Sequence, residues 1–546
     1  MDSTGATLLS NLNYVPVELR FGTSGRRGEL VHLTQLEIYL NALAELRYLQ
    51  GLSADDGGIL AGDDFYLGYD LRPSSTRFAA EFGGRGELCQ AIVQAITDAG
   101  LKPVNLGAIP TPALTFYALA HGSASIMVTG SHIPFDRNGY KLNTSRGELL
   151  KTHEVPIGQM VARVREELYA QPADSSLFGS DGMLKAGHQE LAATDPAGLH
   201  LYLERYLAFR PPAFLAGKRL LVYQHSAVGR DFLLDLVRRL GAEAIPAGRS
   251  DTFVPIDTEN IDDGQLAVLQ LHANDATQVH GKLDGVISTD GDSDRPLILG
   301  VEPSGKLRFF GGDLLGMIVA EYLGADAVVV PISCNDAIDR GSLRFALQPK
   351  TKIGSPFVIA GMELAEANGL KAVCGWEANG GFLLGSDVVR NGALLKKLET
   401  RDAILPILGV LAASVEQSCT LLELFDRLPK RFSRAALLKN FSRATSLQIL
   451  HLFAEGNSSA AKDLARFFTP ALGFAPVRSI DYTDGVRMTF ENGEVAHMRP
   501  SGNADEFRMY AVADTQIRAN EIVESGVAEP NGILRMLERS VTHNLS

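Results

Sequence analysis

Hydrophobic positions along the chain repeat one grammar, a short β-rich run followed by an apolar stripe of helical period. Leu88, Ile92, Val93 and Ile96 share a helix face that Gly100 brings to a stop, and a strand-like segment follows at Val104. Residues 219–223 read as a buried strand, after which Phe232, Leu233, Leu236, Val237 and Leu240 form a helical stripe ending at Gly241. A third unit starts near Gly311, where a helix through Leu314 and Ile318 leads into the strand-like run 327–330. Strand and helix in alternation predict parallel or mixed α/β sheets. From Ile480 the pattern changes to alternation, with Asn492-Gly493 as the φ > 0 pair of a tight hairpin turn, which predicts an antiparallel α+β cap. Residues 171–198, rich in Ser, Ala, Asp and Gly, read as a linker between the first and second units.

A chain of 546 residues is too long for one apolar core, so several domains with clefts between them are expected. Hydrophobic residues at 45% and charged residues at 21% are ordinary for a folded globular protein. The net charge of -13 argues against a general nucleic-acid surface, although a locally basic pocket could still collect an anion. Residues 403–413 form the longest apolar stretch; interrupted by Pro406 and Gly409 and short of the roughly 20 residues that span a bilayer, they read as a buried helix and not a membrane anchor. The first basic residue is Arg20, so the start does not resemble a secretory signal. Cys89, Cys334, Cys374 and Cys419 are widely spaced without a CxxC pair, which fits a reducing cytoplasm and neither zinc nor disulfides. No Gly-rich phosphate loop ending in Lys-Ser/Thr and no GxSxG elbow occurs, so nucleotide use is unsupported.

Five segments carry candidate chemistry. The β-prone run 125–129 stops at "TGSHIPFDRNGYKL", which leaves Ser131 at a strand exit, where open α/β sheets place reactive groups. Alone, Ser131 would be one more turn serine. In "LDGVISTDGDSDRPLI" an apolar strand runs into Asp290, Asp292 and Asp294, whose alternate spacing lets three carboxylates converge on a hard cation such as magnesium. An EF-hand is excluded, because its sixth position would be Arg295 and its twelfth Val301. "FGTSGRRG" offers glycines and Arg26 or Arg27 to an anion, and "CGWEANGG" offers Glu377 and Asn379 to sugar hydroxyls. "RPSGNADEFR" contributes Arg499, Ser501, Gly502 and Arg508, a phosphate cradle of amides and guanidinium groups.

In this order the five segments resemble the α-D-phosphohexomutase family, the phosphomannomutases and phosphoglucomutases, with matches from residue 21 to 510. The family pattern runs FGTxGxRG, T-x-S-H-x-P, DGDxDR, GExSG and RPSGTEP. The resemblance implies four domains around a central cleft, three related α/β mixed-sheet domains over residues 1–180, 181–308 and 309–430, and a C-terminal α+β domain over residues 431–546. It implies a phosphoserine at Ser131 with His132 assisting, Lys141 as proton-transfer residue, and Arg27 and Arg295 at the reacting phosphate. Magnesium would sit between the serine phosphate and Asp290, Asp292 and Asp294. Glu377 and Asn379 would hold the sugar, and Arg499, Ser501, Gly502, Asn503 and Arg508 its non-reacting phosphate. The implied reaction interconverts hexose 1- and 6-phosphates of mannose or glucose through a hexose 1,6-bisphosphate, in a cytoplasmic monomer or homodimer. A catalytically silent sugar-phosphate-binding regulator and a magnesium-dependent sugar phosphatase are the alternatives. The chain departs from the pattern at Ile133, where Asn is common, at Trp376 and Asn379, and at Asn503, Ala504 and Asp505, the last of which would repel phosphate if it pointed inward.

Overall fold

The computed structural model describes residues 6–259, 261–501 and 505–542. Three mixed sheets precede one antiparallel sheet. In the first, Ser125–Val128 lies parallel to Asp64–Tyr69, which is parallel to Lys102–Ala108, while Arg137–Thr144 returns antiparallel beside Ser125–Val128 and pairs in turn with Arg26–Glu29. The second places Arg219–Tyr223 between the parallel strands Glu243–Ala247 and Gly285–Thr289, followed by antiparallel Pro296–Val301 and Leu307–Phe309. The third runs Ala327–Val329 parallel to Val373–Trp376, then Phe382–Leu384 and Leu398–Asp402 antiparallel. The fourth joins five antiparallel strands, with Val495–Pro500 and Glu506–Ala513 adjacent at its centre.

One construction recurs. In each of the first three sheets a buried parallel strand turns straight back into an antiparallel neighbour, at residues 129–136, 290–295 and 377–381, and in the fourth the strands at 495–500 and 506–513 form the corresponding hairpin. Four of the five candidate segments are these hairpin connections. Apolar runs with polar, Gly-bearing exits dictate this, because the strands are buried on both faces and only their connections reach the cleft.

The helices follow the periodicity. Leu88–Asp98 buries Leu88, Ile92 and Ile96, and Arg230–Arg239 buries Phe232, Leu233, Leu236 and Val237. The apolar run near residue 403 is the buried helix Ile404–Glu416, and among the described residues no helix is long and apolar enough to cross a membrane. One apolar cluster runs continuously from Leu114 and Tyr202 through Leu220 and Phe232 to Ile318, Trp376 and Leu408, fusing the first three units. The last sheet has its own cluster around Phe490, Met498 and Phe507.

Two expectations need correction. The stretch 171–198 is no loose linker: Phe178 is buried against Tyr39 with ring centres 5.2 Å apart, and Leu184 N donates to Gln35 Oε1 at 2.8 Å, so it straps the first unit. At Asn492-Gly493 only Gly493 has positive φ (82°), and Asn492 Oδ1 instead accepts from Glu494 N at 3.1 Å. The side chain of Asn492 closes the turn, so the two-residue type I′ geometry is not needed.

Two buried histidines tie the fold to pH. The Nε2 of His225 donates to Thr289 O at 2.8 Å and that of His497 to Asp484 O at 2.6 Å, both rings being buried. Burial pushes both down to about 4. Below the ordinary value of about 6.5 the unfolded chain takes up protons that the folded chain refuses. Stability is therefore complete above that pH and is lost as pH falls toward 4, by up to ~3 kcal/mol per histidine. Thermal unfolding between pH 7 and 4.5 should show this decline, and His497→Gln should flatten it by about one proton.

Candidate active site

Ser131 leaves the strand Ser125–Val128 in the left-handed region, at φ 55°. Its N–H donates to Thr129 Oγ1 at 2.7 Å, and Thr129 Oγ1 donates to Asp70 Oδ2 at 2.7 Å. Beneath the loop lies Arg72, fully buried, whose guanidinium donates to the carbonyls of Ser131 (2.9 Å), Ile133 (2.5 Å), Pro134 (2.7 Å) and Arg137 (3.0 Å) and pairs with Asp70. Gly130 is required there, since a Cβ would stand 2.5 Å from the Arg72 guanidinium carbon. The Ile133 side chain cannot supply amide hydrogen bonds; Arg72 holds the loop through its carbonyl instead.

The hairpin 290–295 closes on itself. Asp290 Oδ1 accepts from the N–H groups of Asp294 and Arg295, each at 3.1 Å, and Ser293 sits at φ 57°. This turns Asp290, Asp292 and Asp294 inward, with one oxygen of each lying within 4.8 Å of the others, all buried. Gly291 lets the two loops touch, because a Cβ there would lie 2.8 Å from Ser131 O. Across that contact Ser131 Oγ donates to Asp290 Oδ2 at 3.0 Å. Lys141 Nζ donates to Asp292 and Asp294 at 2.6 Å each, and Thr111 Oγ1 to Asp292 at 2.7 Å. Among the described residues Asp292 Oδ1 and Asp294 Oδ1 are buried with no hydrogen bond. Converging oxygens of which two lack partners fit a hard divalent cation. Burial and its two acidic neighbours push Asp290 well above the carboxylate range. Burial opposes ionisation of the other two as well, yet Lys141 with its hydrogen bond holds Asp292 down, as Arg401 and Lys141 do Asp294.

Arginines line the approach. Arg27 donates to Arg26 O at 2.7 Å and Tyr140 O at 3.2 Å; burial lowers it to about 10, so it stays charged at neutral pH. Arg295 Nη1 donates to His132 Nδ1 at 2.8 Å. Burial, Arg295 and Arg508 push His132 well below its usual range, so the ring is neutral and carries its proton on Nε2.

The third and fourth hairpins complete the wall. Glu377 accepts from Arg401 Nη1 at 3.0 Å, and Asn379 turns its Oδ1 back to Gly381 N at 2.9 Å. Trp376 points away, buried against the Gly316 backbone and stacked on Phe382. Arg499 pairs with Asp484 at 3.0 Å, and among the described residues the buried Nε of Arg508 has no hydrogen-bond partner. Ser501 N donates to Glu506 O at 2.9 Å, while Gly502 and Asn503 lie outside the described residues. Asp505 does not face inward: its Oδ1 accepts from Arg443 N at 3.2 Å, at the start of the helix Arg443–Leu452, where a carboxylate is favoured. A cavity of about 100 Å³ gathers Arg27, Ser131, His132, Glu377, Arg499 and Arg508 on its walls.

The motifs missed Asp70, Arg72, Thr111 and Arg401. Asp70 and Arg72 follow the strand Asp64–Tyr69 and obey the same strand-exit rule as Ser131. Arg401 carries no local signal at all, yet its Nε donates to Asp294 at 3.1 Å and so ties the acidic loop to Glu377.

A buried acidic triad, a serine against it and an arginine-lined cavity among four hairpins are the parts of a phosphotransferase mutase. Known proteins agree. The description phosphoglucomutase/phosphomannomutase, alpha/beta/alpha domain I, matches residues 18–167, and that of domain III matches residues 311–432. A phosphomannomutase of Salmonella muenchen is 38% identical over 511 residues, 93% of this chain and 94% of that protein. In fold, a phosphoglucomutase/phosphomannomutase family protein from Burkholderia thailandensis superposes with a TM-score of 0.63 at 16% identity, covering 97% of this chain and 98% of its own. Aspergillus fumigatus N-acetylphosphoglucosamine mutase, solved in complex with GlcNAc-6P and magnesium, superposes with a TM-score of 0.51 at 14% identity, covering 97% and 98%. The chain belongs to the phosphoglucomutase/phosphomannomutase family of α-D-phosphohexomutases.

Proposed function

We propose that this mutase interconverts mannose 1-phosphate and mannose 6-phosphate through a phosphate carried on Ser131. The observation that carries the reading is the hydrogen bond from Ser131 Oγ to Asp290 at 3.0 Å, which sets a serine of the cavity wall against the buried acidic triad. Mannose is supported by the 38% identical phosphomannomutase. Four domains, at residues 1–180, 181–308, 309–430 and 431–546, would each bring one hairpin to the cavity. Four buried free thiols suit a cytoplasmic site of action.

Asp290, Asp292 and Asp294, with the phosphate on Ser131, would hold Mg²⁺, which when bound offsets charge on the transferring phosphoryl group. Arg27, Arg295 and the Nε2–H of His132 donate to the same phosphoryl oxygens. Lys141, anchored on Asp292 and Asp294, would give a proton to the departing Ser131 Oγ and take one from the attacking sugar hydroxyl. Arg499, Ser501, Gly502, Asn503 and Arg508 hold the phosphate that is not reacting, while Glu377 and Asn379 orient the hexose. Once Ser131 has given up its phosphate the sugar carries two. That hexose 1,6-bisphosphate turns within the cavity and returns its other phosphate to Ser131. Exclusion of water from the loaded cavity is what would separate a mutase from a phosphatase.

Purified protein with mannose 1-phosphate, magnesium and a trace of hexose 1,6-bisphosphate should form mannose 6-phosphate, faster than it isomerises glucose 1-phosphate. A chelator should abolish turnover and magnesium restore it. Release of free phosphate without isomer would sink the reading in favour of a phosphatase, and sugar-phosphate binding without turnover would sink it in favour of a silent regulator.

A further inference from the structure

The second unit sends another segment into the cleft, between the strand Glu243–Ala247 and the helix Asp263–His280, and no motif marks it. It is pinned along its length. Phe253 is buried under Arg72, whose guanidinium carbon lies 3.9 Å from the ring centre, and Val254 N donates to Ser226 Oγ at 2.7 Å. Thr258 Oγ1 donates across the cleft to Asn379 O at 2.8 Å, which joins this segment to the sugar-facing hairpin of the third unit. Glu259 follows directly, its N–H closed onto Asp257 Oδ1 at 3.0 Å. A fixed backbone therefore presents its carboxyl to the cavity, on a wall shared with Ser131, Glu377 and Arg508.

The acids around the cavity are otherwise committed. Asp292 and Asp294 receive Lys141, Asp290 receives Ser131, and Glu377 receives Arg401. Among the described residues the Glu259 carboxyl accepts no hydrogen bond, although it lies within the electrostatic reach of Arg508 and Arg295 and of Asp257 and Glu377. Burial and Asp257 push it up to about 7. A half-buried carboxyl without a donor is costly, and it is corrected when a donor arrives. A phosphate dianion brings none and is repelled by the ionised carboxylate. A hexose ring brings several hydroxyls. Glu259 also stands where the site cavity opens into a second one of about 440 Å³, the two sharing Ser333, Ala378 and Tyr510.

We propose that Glu259 is a specificity-determining contact, its carboxylate accepting a hydrogen bond from a ring hydroxyl of the bound hexose opposite Glu377, so that sugar choice is read from the second unit as well as the third. This rests on the mutase reading. Its test is a cycle between protein and sugar. Wild type and Glu259→Ala are compared on mannose 6-phosphate, glucose 6-phosphate and the 2-, 3- and 4-deoxy analogues, by calorimetric Kd and by kcat/KM. For one hydroxyl, deletion should cost wild type about 10- to 100-fold, Glu259→Ala should cost the same factor with the complete sugar, and the two together should cost no more than either. Losses that multiply for every analogue, or a variant as tight and as selective as wild type, would overturn the assignment. Because Kd is read independently of turnover, a protein that binds these sugars without isomerising them would refute the mutase reading and still decide the role of Glu259. An unchanged melting temperature for Glu259→Gln separates contact from folding.

Discussion

Ser131→Ala should lower mutase turnover by at least ~10⁴-fold while the protein stays folded and still binds hexose 6-phosphate. Removing a covalent carrier removes the route and not merely an interaction, and nucleophile deletions in enzymes reach this size. Alanine suits the test. It tolerates the left-handed backbone at φ 55° about as well as serine does, and the Thr129 and Arg72 hydrogen bonds that shape the loop involve backbone atoms of residue 131. Only the Oγ contact to Asp290 is lost. The checks are a coupled isomerase assay, transfer of labelled phosphate from hexose 1,6-bisphosphate to protein, and the melting temperature. Labelling of the variant to the wild-type level would place the phosphate on another residue and end the mechanism.

Arg72→Met should produce the largest loss of stability, about 3 to 5 kcal/mol, the cost of removing one partner of a buried ion pair. Arg72 and Asp70 are both fully inaccessible, and the guanidinium also serves four carbonyls of the serine loop. Methionine fills the volume and leaves Asp70 as a buried carboxylate with only the hydroxyls of Thr129 and Ser75 and the backbone N–H of residue 72, and four carbonyls short of a donor. Chemical denaturation measures the effect. Adding Asp70→Asn should recover a sizeable part of it, because the stranded charge is then gone, but turnover should stay low since the loop still lacks its carbonyl clamp. A loss below about 1 kcal/mol would mean that water replaces the guanidinium and that the loop is held from elsewhere.

What could be read from the sequence was what short range decides. Ser131 and Asp290 to Asp294 were legible because an apolar strand ending abruptly in polar, glycine-bearing residues says where a hairpin begins. The helices at residues 88–98 and 230–239 were legible from their stripes. Arg401 and Thr111 were not. Their partners Asp294 and Asp292 lie 107 and 181 residues away, and neither residue differs locally from a surface arginine or a helix-start threonine. Asp505 looked hostile to phosphate because a charge was visible and its direction was not; the helix beginning at Arg443 decides that direction. Trp376 was visible only as a departure from the family pattern; the close approach of Gly316 shows that its ring belongs to the core. The strap at 171–198 had too little periodicity to betray that Phe178 docks on Tyr39.

The recurrence of one hairpin at the same place in successive sheets divides the labour of the protein. Each connection is closed by its own strand pair, yet neighbouring connections touch, Gly291 against Ser131 O and Arg401 between Asp294 and Glu377, so a substitution in one is felt in the next. The serine and the aspartates are mounted on separate sheets, so the approach of Ser131 to the acidic triad is set by how two sheets pack and not by either loop alone.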